Sequence, residues 1–340
     1  MRILRRYFYA LLIAVGSALF AFSCSYEEPV DRFSFSPPSS FPPFAYNNSD
    51  NPITEAGVQL GRMLFYENAL SLDSSINCSS CHIQSHAFSD PGETFSTGVN
   101  GKIGKRNAPA LFNVGWSPTF MWDGGIVHLD VMPLAPITDS LEMNLNMMVA
   151  IHRIQANKRY RMAFQQAFGS DTVTSQRLFY ALSQFMMTMV SNRSKYDEHL
   201  ISHTELNGSE ERGYQLFQTH CSSCHAEPLL SDFSYANNGL DSVYSDLGRG
   251  RITLNPADNG KFKVPSLRNI ELTYPYMHDG RFNTLQEVVE HYSHGVQTTN
   301  ADPRLEDPLN LSIKEKEDLL AFLYTLTDHK FIQDSKFSAP

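Results

Sequence analysis

The chain has 340 residues, a formal net charge of −9 at pH 7, and a composition that is 42% hydrophobic and 19% charged. This balance excludes a disordered or fibrous protein, because such chains lack the apolar residues needed to build a core. The acidic charge, without any basic cluster, argues against nucleic-acid binding, and the length predicts two domains.

Residues 1–24 are predicted to be an export signal. Arginines near the start precede an apolar run from Phe8 to Phe22, which is too short for a comfortable membrane span. Small residues then lead to Cys24, as at a bacterial lipoprotein cleavage site, although Phe22 is bulky for that pattern. We therefore predict a periplasmic protein. Cys24 is either a lipid-bearing N-terminus that tethers the protein to a membrane or an incidental cysteine beside an ordinary signal.

Residues 25–52 are predicted to be a flexible linker outside the fold. They are rich in Ser, Pro, Phe and Asn and show no apolar period. We expect a first folded domain over residues 53–200 and a second over residues 201–340.

The sequence Cys-Ser-Ser-Cys-His occurs twice, at Cys78–His82 and at Cys221–His225. C-x-x-C-H is the attachment motif of c-type haem, in which both thiols form thioethers to the porphyrin and the histidine becomes the proximal iron ligand. A zinc site or a pair of disulfides also uses C-x-x-C, but neither requires a histidine directly after the second cysteine. The sequence therefore predicts two covalently bound haem c groups, held by Cys78, Cys81 and His82 and by Cys221, Cys224 and His225.

A helix is predicted just before each haem motif. Gly61–Phe65 and Gly213–Phe217 have similar amphipathic patterns, and caps are expected near Thr54 and Ser209. Helical patterns also cover residues 140–168 and 174–200, whereas strand-like segments are short.

The segments that follow each haem motif also repeat. Pro109–Val114 matches Pro265–Ile270, and Phe120–Gly124 matches Tyr276–Gly280 in the same register. We therefore predict a mainly α fold of two cytochrome c-like haem domains related by internal duplication.

The two halves differ where a sixth iron ligand is expected. Their common register places Pro136 opposite Tyr292. Proline cannot bind iron, whereas a phenolate can, so the first haem is predicted to be open and the second to be six-coordinate. The alternative ligands of the second haem are Met277, His278, His291 and His294. The recurrence of Met277 as Met121 in the first half favours a packing role for both methionines.

Glu142 and Trp122 are candidates for catalysis. Glu142 follows Pro136 closely and could move a proton between the two oxygens of a peroxide, or it could simply stabilise a helix N-terminus after Ser140. Trp122 either fills core or carries an electron between the halves.

These motifs resemble the bacterial di-haem cytochrome c peroxidases and their MauG relatives. The resemblance runs from Gly57 to Leu326 and includes both haem motifs together with Arg106–Pro109, Met121–Gly124, Leu141–Asn144, Val264–Asn269 and Pro275–Gly280. It implies that Glu142 is the catalytic glutamate and Trp122 the inter-haem tryptophan. It also implies a calcium ion between the domains, bound partly by the carbonyl oxygens of Asn107, Thr273 and Pro275.

Two departures from the family pattern affect the predicted function. Many of these peroxidases carry an iron-capping histidine in the loop that reads Gly98–Gly101 here, and His86 is too close to His82 to replace it. MauG has a tyrosine at the Tyr292 position, where the peroxidases have methionine. MauG also has a tryptophan for long-range oxidation at the position of Thr219.

The resemblance implies an enzyme that reduces hydrogen peroxide with electrons from a small exported donor such as a cytochrome c. One alternative is a MauG-type enzyme that oxidises side chains of a partner protein through a high-valent di-haem state. A second alternative is a di-haem electron carrier without peroxide chemistry. A homodimer is one expected assembly, since members of the family often act as dimers.

Overall fold

The structure is a computed structural model that describes residues 35–202, 204–305 and 307–340. The predicted export signal and Cys24 lie outside the described residues. Over the ranges described, we find no helix with both the length and the apolar character needed to span a membrane.

Helices dominate the fold, as the sequence predicts. The α-helices are α1 (Glu55–Phe65), α2 (Leu134–Thr138), α3 (Met147–Ala156), α4 (Lys158–Phe168), α5 (Ser175–Thr188), α6 (Lys195–Ser202), α7 (Gly208–His220), α8 (Arg249–Thr253), α9 (Leu285–Glu290), α10 (Ile313–Tyr324) and α11 (His329–Ile332). A π-helical turn, His291–Gly295, continues α9. Strands β1 (Tyr235–Ala236) and β2 (Phe262–Lys263) form a small antiparallel pair.

The helices before the two haem motifs pack in the same way. In the first half, α1 packs on α5 and Gly61 lies against the carbonyl of Ala181; in the second, α7 packs on α10 and Gly213 lies against the carbonyl of Asp318. A methyl group at either glycine would overlap that carbonyl, so each helix pair requires a residue without a side chain at the crossing.

Both predicted caps lie close to where the helices begin. The Thr54 hydroxyl accepts a hydrogen bond from Gly57 N at 3.0 Å, as predicted. The second cap is Asn207 rather than Ser209. Its side chain accepts from Glu210 N at 3.0 Å, while the Glu210 carboxylate accepts from Asn207 N at 2.7 Å. This reciprocal pair is a capping box, which satisfies two otherwise unbonded amides.

The long helical patterns are interrupted by asparagines. Residues 140–146 form turns rather than helix, and Asn146 then caps α3 through Met148 N at 2.9 Å. Asn157 ends α3 and caps α4 through Arg159 N at 2.9 Å. Asparagine side chains compete with helical hydrogen bonds, which explains why one predicted helix becomes a turn and two helices.

The duplicated turns share their backbone geometry. Phe120 pairs with Ile126 as Tyr276 pairs with Phe282. Three pairs of matching residues have positive φ. The values are 66° and 74° for Met121 and Met277, 66° and 62° for Gly124 and Gly280, and 54° and 56° for Asn113 and Asn269. A positive φ is uncommon in residues other than glycine, so its recurrence at matching positions supports the predicted internal duplication.

The two hydrophobic cores exchange segments across the proposed boundary at residues 200 and 201. Tyr196 of α6 is fully buried in the second core, against Phe322 at a ring distance of 5.9 Å. Phe331 of α11 is fully buried in the first core, against Phe88 at 5.8 Å. Each half is therefore completed by a segment that the chain order assigns to the other.

The predicted flexible linker is partly folded, which corrects the prediction for residues 41–51. Phe41 is buried against Trp116 at a ring distance of 5.0 Å and lies under the Arg268 guanidinium at 4.7 Å. The Trp116 indole donates to Pro42 O at 2.7 Å, and Asn51 donates to Asp130 at 2.9 Å. Irregularly spaced aromatic residues give no period in a sequence, yet they dock well into an apolar cleft.

Candidate active site

The first haem motif presents a histidine with one free nitrogen. His82 Nδ1 donates to Phe88 O at 2.9 Å, so Nε2 is left for iron. Burial lowers the pKa of His82 to about 4, which keeps the ring neutral. Burial also raises the pKa values of Cys78 and Cys81 to about 12 and about 11, and neither cysteine forms a disulfide.

The second haem motif has the same arrangement. His225 Nδ1 donates to Leu230 O at 3.2 Å and to Pro265 O at 3.1 Å, and burial lowers its pKa. In the part of the chain that the structure describes, no three His, Cys, Asp or Glu side chains converge on a metal-binding point. Thiols with one adjoining histidine therefore fit covalent haem attachment better than a zinc site.

The loop after His225 is held by side chains from several elements. The Glu227 carboxylate accepts from Tyr196 Oη at 2.6 Å, and Arg268 donates to Pro228 O. Arg268 is completely buried and forms a bidentate ion pair with Asp197, with both hydrogen bonds 2.8 Å long. Sequence analysis did not single out this pair, because nothing local indicates that residues 71 positions apart meet.

Glu142 lies beside the first haem motif. Met143 N donates to Pro136 O at 3.1 Å, which places Glu142 next to the predicted open position. Leu72 N donates to Met143 O at 2.9 Å, which ties the turn that contains Glu142 to the segment before the first haem motif. Glu142 is an exposed residue, yet neighbouring protein atoms reduce the hydration of its carboxyl group and raise its pKa to about 7, with a smaller contribution from the charge of Asp139.

The Gly98–Gly101 loop, which has no histidine, packs directly on Glu142. Val99 N donates to Glu142 O at 2.9 Å, and a side chain on Gly98 would overlap the main chain of residues 141 and 142. His86 does not replace the missing ligand, because its ring packs edge-on against Tyr274 of the second half at 6.2 Å. The described loop thus supports Glu142 and offers no imidazole to the first haem.

Tyr292 lies at the second haem motif, on the π-helical turn. Burial raises its pKa to about 12, and the nearby thiols of Cys221 and Cys224 add to the shift. π-Helical turns insert an extra residue and so re-aim a side chain, often at functional sites.

The alternative ligands of the second haem all have other partners. His278 stacks on Phe262 with ring centroids 3.7 Å apart, and His294 is exposed and pairs with Glu290 at 3.0 Å. His291 Nε2 donates to Asn238 O at 2.9 Å, and Met277 Sδ accepts from Asn238 Nδ2 at 3.3 Å.

Comparison with known proteins identifies the family. Residues 55–205 match the family model of di-haem cytochrome c peroxidases, and residues 210–327 match that of cytochrome c. The methylamine utilization protein MauG of Methylophilus methylotrophus is 33% identical over 287 residues, which cover 81% of this chain and 84% of that protein. The chain belongs to the di-haem cytochrome c peroxidase and MauG family.

Other relatives agree with this assignment. The cytochrome c551 peroxidase of Nitrosomonas europaea is 36% identical over 276 residues, or 79% of each chain. The solved structure of a MauG-like protein associated with microbial copper homeostasis has a TM-score of 0.84 and 35% identity, and the match covers 91% of this chain and 99% of that one. The predicted family, the mainly α two-domain fold and the oxidoreductase class are thereby confirmed. As a family member with both motifs intact, the protein carries two covalently bound haem c groups.

Trp122 lies where the two halves of this di-haem protein meet. Its indole Nε1 donates to Asn107 O at 2.8 Å, and its carbonyl accepts from Lys263 N of β2 at 2.8 Å. The indole of Trp122 is therefore bonded to the first half, and its main-chain carbonyl is bonded to the second half.

A charged network beside Trp122 was missed by sequence analysis. Arg106 donates to Asp123 at 2.7 Å and to Asp246 at 2.7 Å, which joins the two halves. Lys263 Nζ is buried, where it donates to Thr119 O at 2.6 Å, and burial lowers its pKa to about 8. The only member of this network that the sequence motifs include as a charged residue of the Arg106–Pro109 stretch is Arg106.

The three predicted calcium ligands lie on segments that meet. Asn107 N donates to His278 O at 2.8 Å, and Gly92 N donates to Tyr274 O at 3.3 Å. The first bond ties Asn107 to the stretch that follows Thr273 and Pro275, and the second ties the main chain of Gly92 to the residue between them. The Asn107 carbonyl already accepts the Trp122 indole, which leaves one lone pair for another partner.

Proposed function

We propose that the protein reduces hydrogen peroxide to water at its first haem, with two electrons and two protons per peroxide. The observation that carries the proposal is the position of Glu142, a carboxyl group with a pKa of about 7 beside the first haem motif and Pro136. A small exported donor protein, such as a cytochrome c, supplies the electrons through the second haem. The relatives named cytochrome c peroxidases support this substrate pair.

The haem groups supply the redox chemistry, and the side chains handle protons and position. Glu142 accepts the proton of an incoming peroxide and returns it to the departing oxygen, which leaves as water. A group with a pKa near the working pH can perform both transfers. Trp122 provides an aromatic route between the halves, held by Asn107 and Lys263. Tyr292 would bind the iron of the second haem through its phenolate oxygen.

We also propose that calcium binds between the halves through the carbonyl oxygens of Asn107, Thr273 and Pro275. Oxygen ligands suit this ion, and the hydrogen bonds around Asn107 bring these segments together. Metal analysis should find calcium retained after gel filtration and lost after chelation. Protein that retains no calcium at millimolar supply would refute the site.

The proposed location is the periplasm, with Cys24 as a lipid anchor. A Cys24→Ser variant should be released from the membrane fraction, whereas the parent protein should remain in it. Sedimentation of the purified protein tests the proposed homodimer.

The function is tested by mixing haem-loaded, calcium-supplemented diferric protein with peroxide and a reduced small cytochrome c. Rapid oxidation of the cytochrome is the expected result, and it would show that no prior reduction is needed. If the protein carries both haems but does not respond to peroxide, the result would favour a di-haem electron carrier without peroxide chemistry.

A MauG-type oxidation of a partner protein is the second candidate. The Gly98–Gly101 loop, which packs on Glu142 and has no histidine, and the tyrosine at the second haem favour it, as do relatives named MauG. Thr219 argues against an identical oxidation route, since it lies exposed on α7 where MauG has a tryptophan. A peroxide-induced spectrum that persists while the cytochrome is hardly oxidised would favour this candidate.

A further inference from the structure

Asn238 contacts two of the side chains that compete with Tyr292 for the second haem. Its side-chain Nδ2 donates to Met277 Sδ at 3.3 Å, and its main-chain carbonyl oxygen accepts from His291 Nε2 at 2.9 Å. The thioether sulfur and an imidazole nitrogen are the atoms through which these residues would bind iron. One residue therefore occupies the donor atoms of two alternative ligands.

Tyr292 follows His291 directly on the π-helical turn. Anchoring the His291 ring to Asn238 fixes the orientation of this turn, because His291 is buried and cannot rotate freely. The remaining competitors, His278 and His294, are already held by Phe262 and Glu290.

The segment around Asn238 is itself well anchored. The Asn237 side chain accepts from Gly239 N at 2.9 Å, and Asn237 O accepts from Asp302 N at 2.8 Å. Gly239, with a φ of 66°, accepts from Gln297 N at 2.8 Å through its carbonyl. Asn238 is therefore held at a fixed position between these contacts.

We propose that Asn238 is a positioning residue that reserves the axial position of the second haem for Tyr292 by holding Met277 and His291 away from the iron. The inference rests on the proposed function only in taking Tyr292 as the ligand. A phenolate stabilises ferric iron more than a thioether or an imidazole does, so Asn238 also keeps the potential of the second haem low.

The test compares variants of the haem-loaded full-length protein by electron paramagnetic resonance and redox titration. In Tyr292→Phe, with Asn238 present, the second haem should become high-spin, because no other side chain replaces the phenol. In Tyr292→Phe/Asn238→Ala, the released Met277 should bind, which returns most of the second haem to low spin and raises its potential, while His291 keeps its bond to the main-chain carbonyl of residue 238. Adding Met277→Leu to the double variant should return the second haem to high spin, which identifies Met277 as the new ligand.

Asn300→Ala is the matched control in the Tyr292→Phe background. Asn300 Nδ2 donates to Ser242 O at 3.3 Å, so this substitution removes an asparagine contact with the same segment without touching Met277 or His291. The control should remain high-spin. Asn238→Ser provides a second test if the alanine variant folds poorly, since serine keeps a polar side chain but is too short to reach Met277 Sδ.

A low-spin second haem in Tyr292→Phe alone would overturn the proposal, and so would a double variant that stays high-spin with full haem content. An unchanged second haem in Tyr292→Phe would refute Tyr292 as ligand and this proposal with it. Peroxide turnover, measured separately with the cytochrome donor, decides the proposed function independently.

Discussion

Replacing Glu142 with glutamine tests the proton transfer on which peroxide reduction depends. Glutamine keeps the size of the side chain but cannot accept a proton. With a pKa of about 7, Glu142 is a carboxylate in about half of the molecules at pH 7. Loss of a general acid–base group typically slows its step by about 10²–10⁴-fold, which corresponds to about 3–5 kcal/mol of activation free energy.

The rate of the peroxide reaction should depend on pH through the protonation state of Glu142. The carboxylate must be unprotonated to accept the peroxide proton, so the rate of the parent protein should rise as the pH increases through about 7. Below that value the rate should fall by about tenfold per pH unit, because the carboxylate fraction does. Glu142→Gln should be slow at every pH and lack this transition.

Stopped-flow spectroscopy of the diferric protein with excess peroxide measures this step directly. Asp139→Asn is the matched control: the charge of Asp139 raises the pKa of Glu142, so its removal should move the midpoint to lower pH while the plateau rate stays. Asparagine can still accept the hydrogen bond from Leu141 N, which is 2.8 Å long in the parent. A Glu142→Gln rate within about threefold of the parent, with the same midpoint, would refute the reasoning, since even a weak acid–base group contributes about 10²-fold.

Three further substitutions test the packing. Gly213→Ala should destabilise the protein by about 1–3 kcal/mol in chemical unfolding, because the new methyl group overlaps the carbonyl of Asp318. Arg268→Met should lower the free energy of unfolding by about 3–5 kcal/mol, because it leaves the buried Asp197 carboxylate unpaired. Phe41→Ala should lower it by about 3 kcal/mol and expose residues 35–52 to limited proteolysis, because the aromatic anchor of this segment is lost.

Each of these has a control. Gly208→Ala adds a methyl group at the start of the same helix, where only the Arg212 guanidinium is near, and should be almost neutral. Lys330→Met removes an exposed ion pair with Glu198 and should change stability by less than about 1 kcal/mol. Ser39→Ala, a change at an exposed position of the same segment, should not alter proteolysis. Equal effects of a control and its test substitution would contradict the corresponding packing argument.

Features with local signals could be predicted from the sequence. The haem motifs, the cap at Thr54 and the repeated turns each depend on neighbouring residues, and the structure follows them closely. The proximity of Glu142 to the first haem motif also followed from the register, because the two halves share one backbone path.

Features that depend on contacts between distant residues could not be predicted. Phe41 and Arg268 meet across more than two hundred residues, and no pattern in either segment indicates the other. Asn238 was missed for the same reason, since its importance arises only when Met277 and His291 approach it. The long helical pattern breaks at Asn146 and Asn157, and the asparagines themselves are a local signal for this break. The prediction followed the apolar period of the segment instead.

The exchange of segments between the two cores has a consequence for how the protein matures. Phe331, near the C-terminus, packs on Phe88, whose carbonyl holds the proximal histidine of the first haem. Tyr196 holds Glu227 in the proximal loop of the second haem. The proximal histidine of the first haem motif is therefore supported by a residue more than two hundred positions downstream. The peroxide-binding half cannot complete its core until the chain has been made through Phe331, and a chain shortened before Phe331 would carry a complete attachment motif in an unfinished domain.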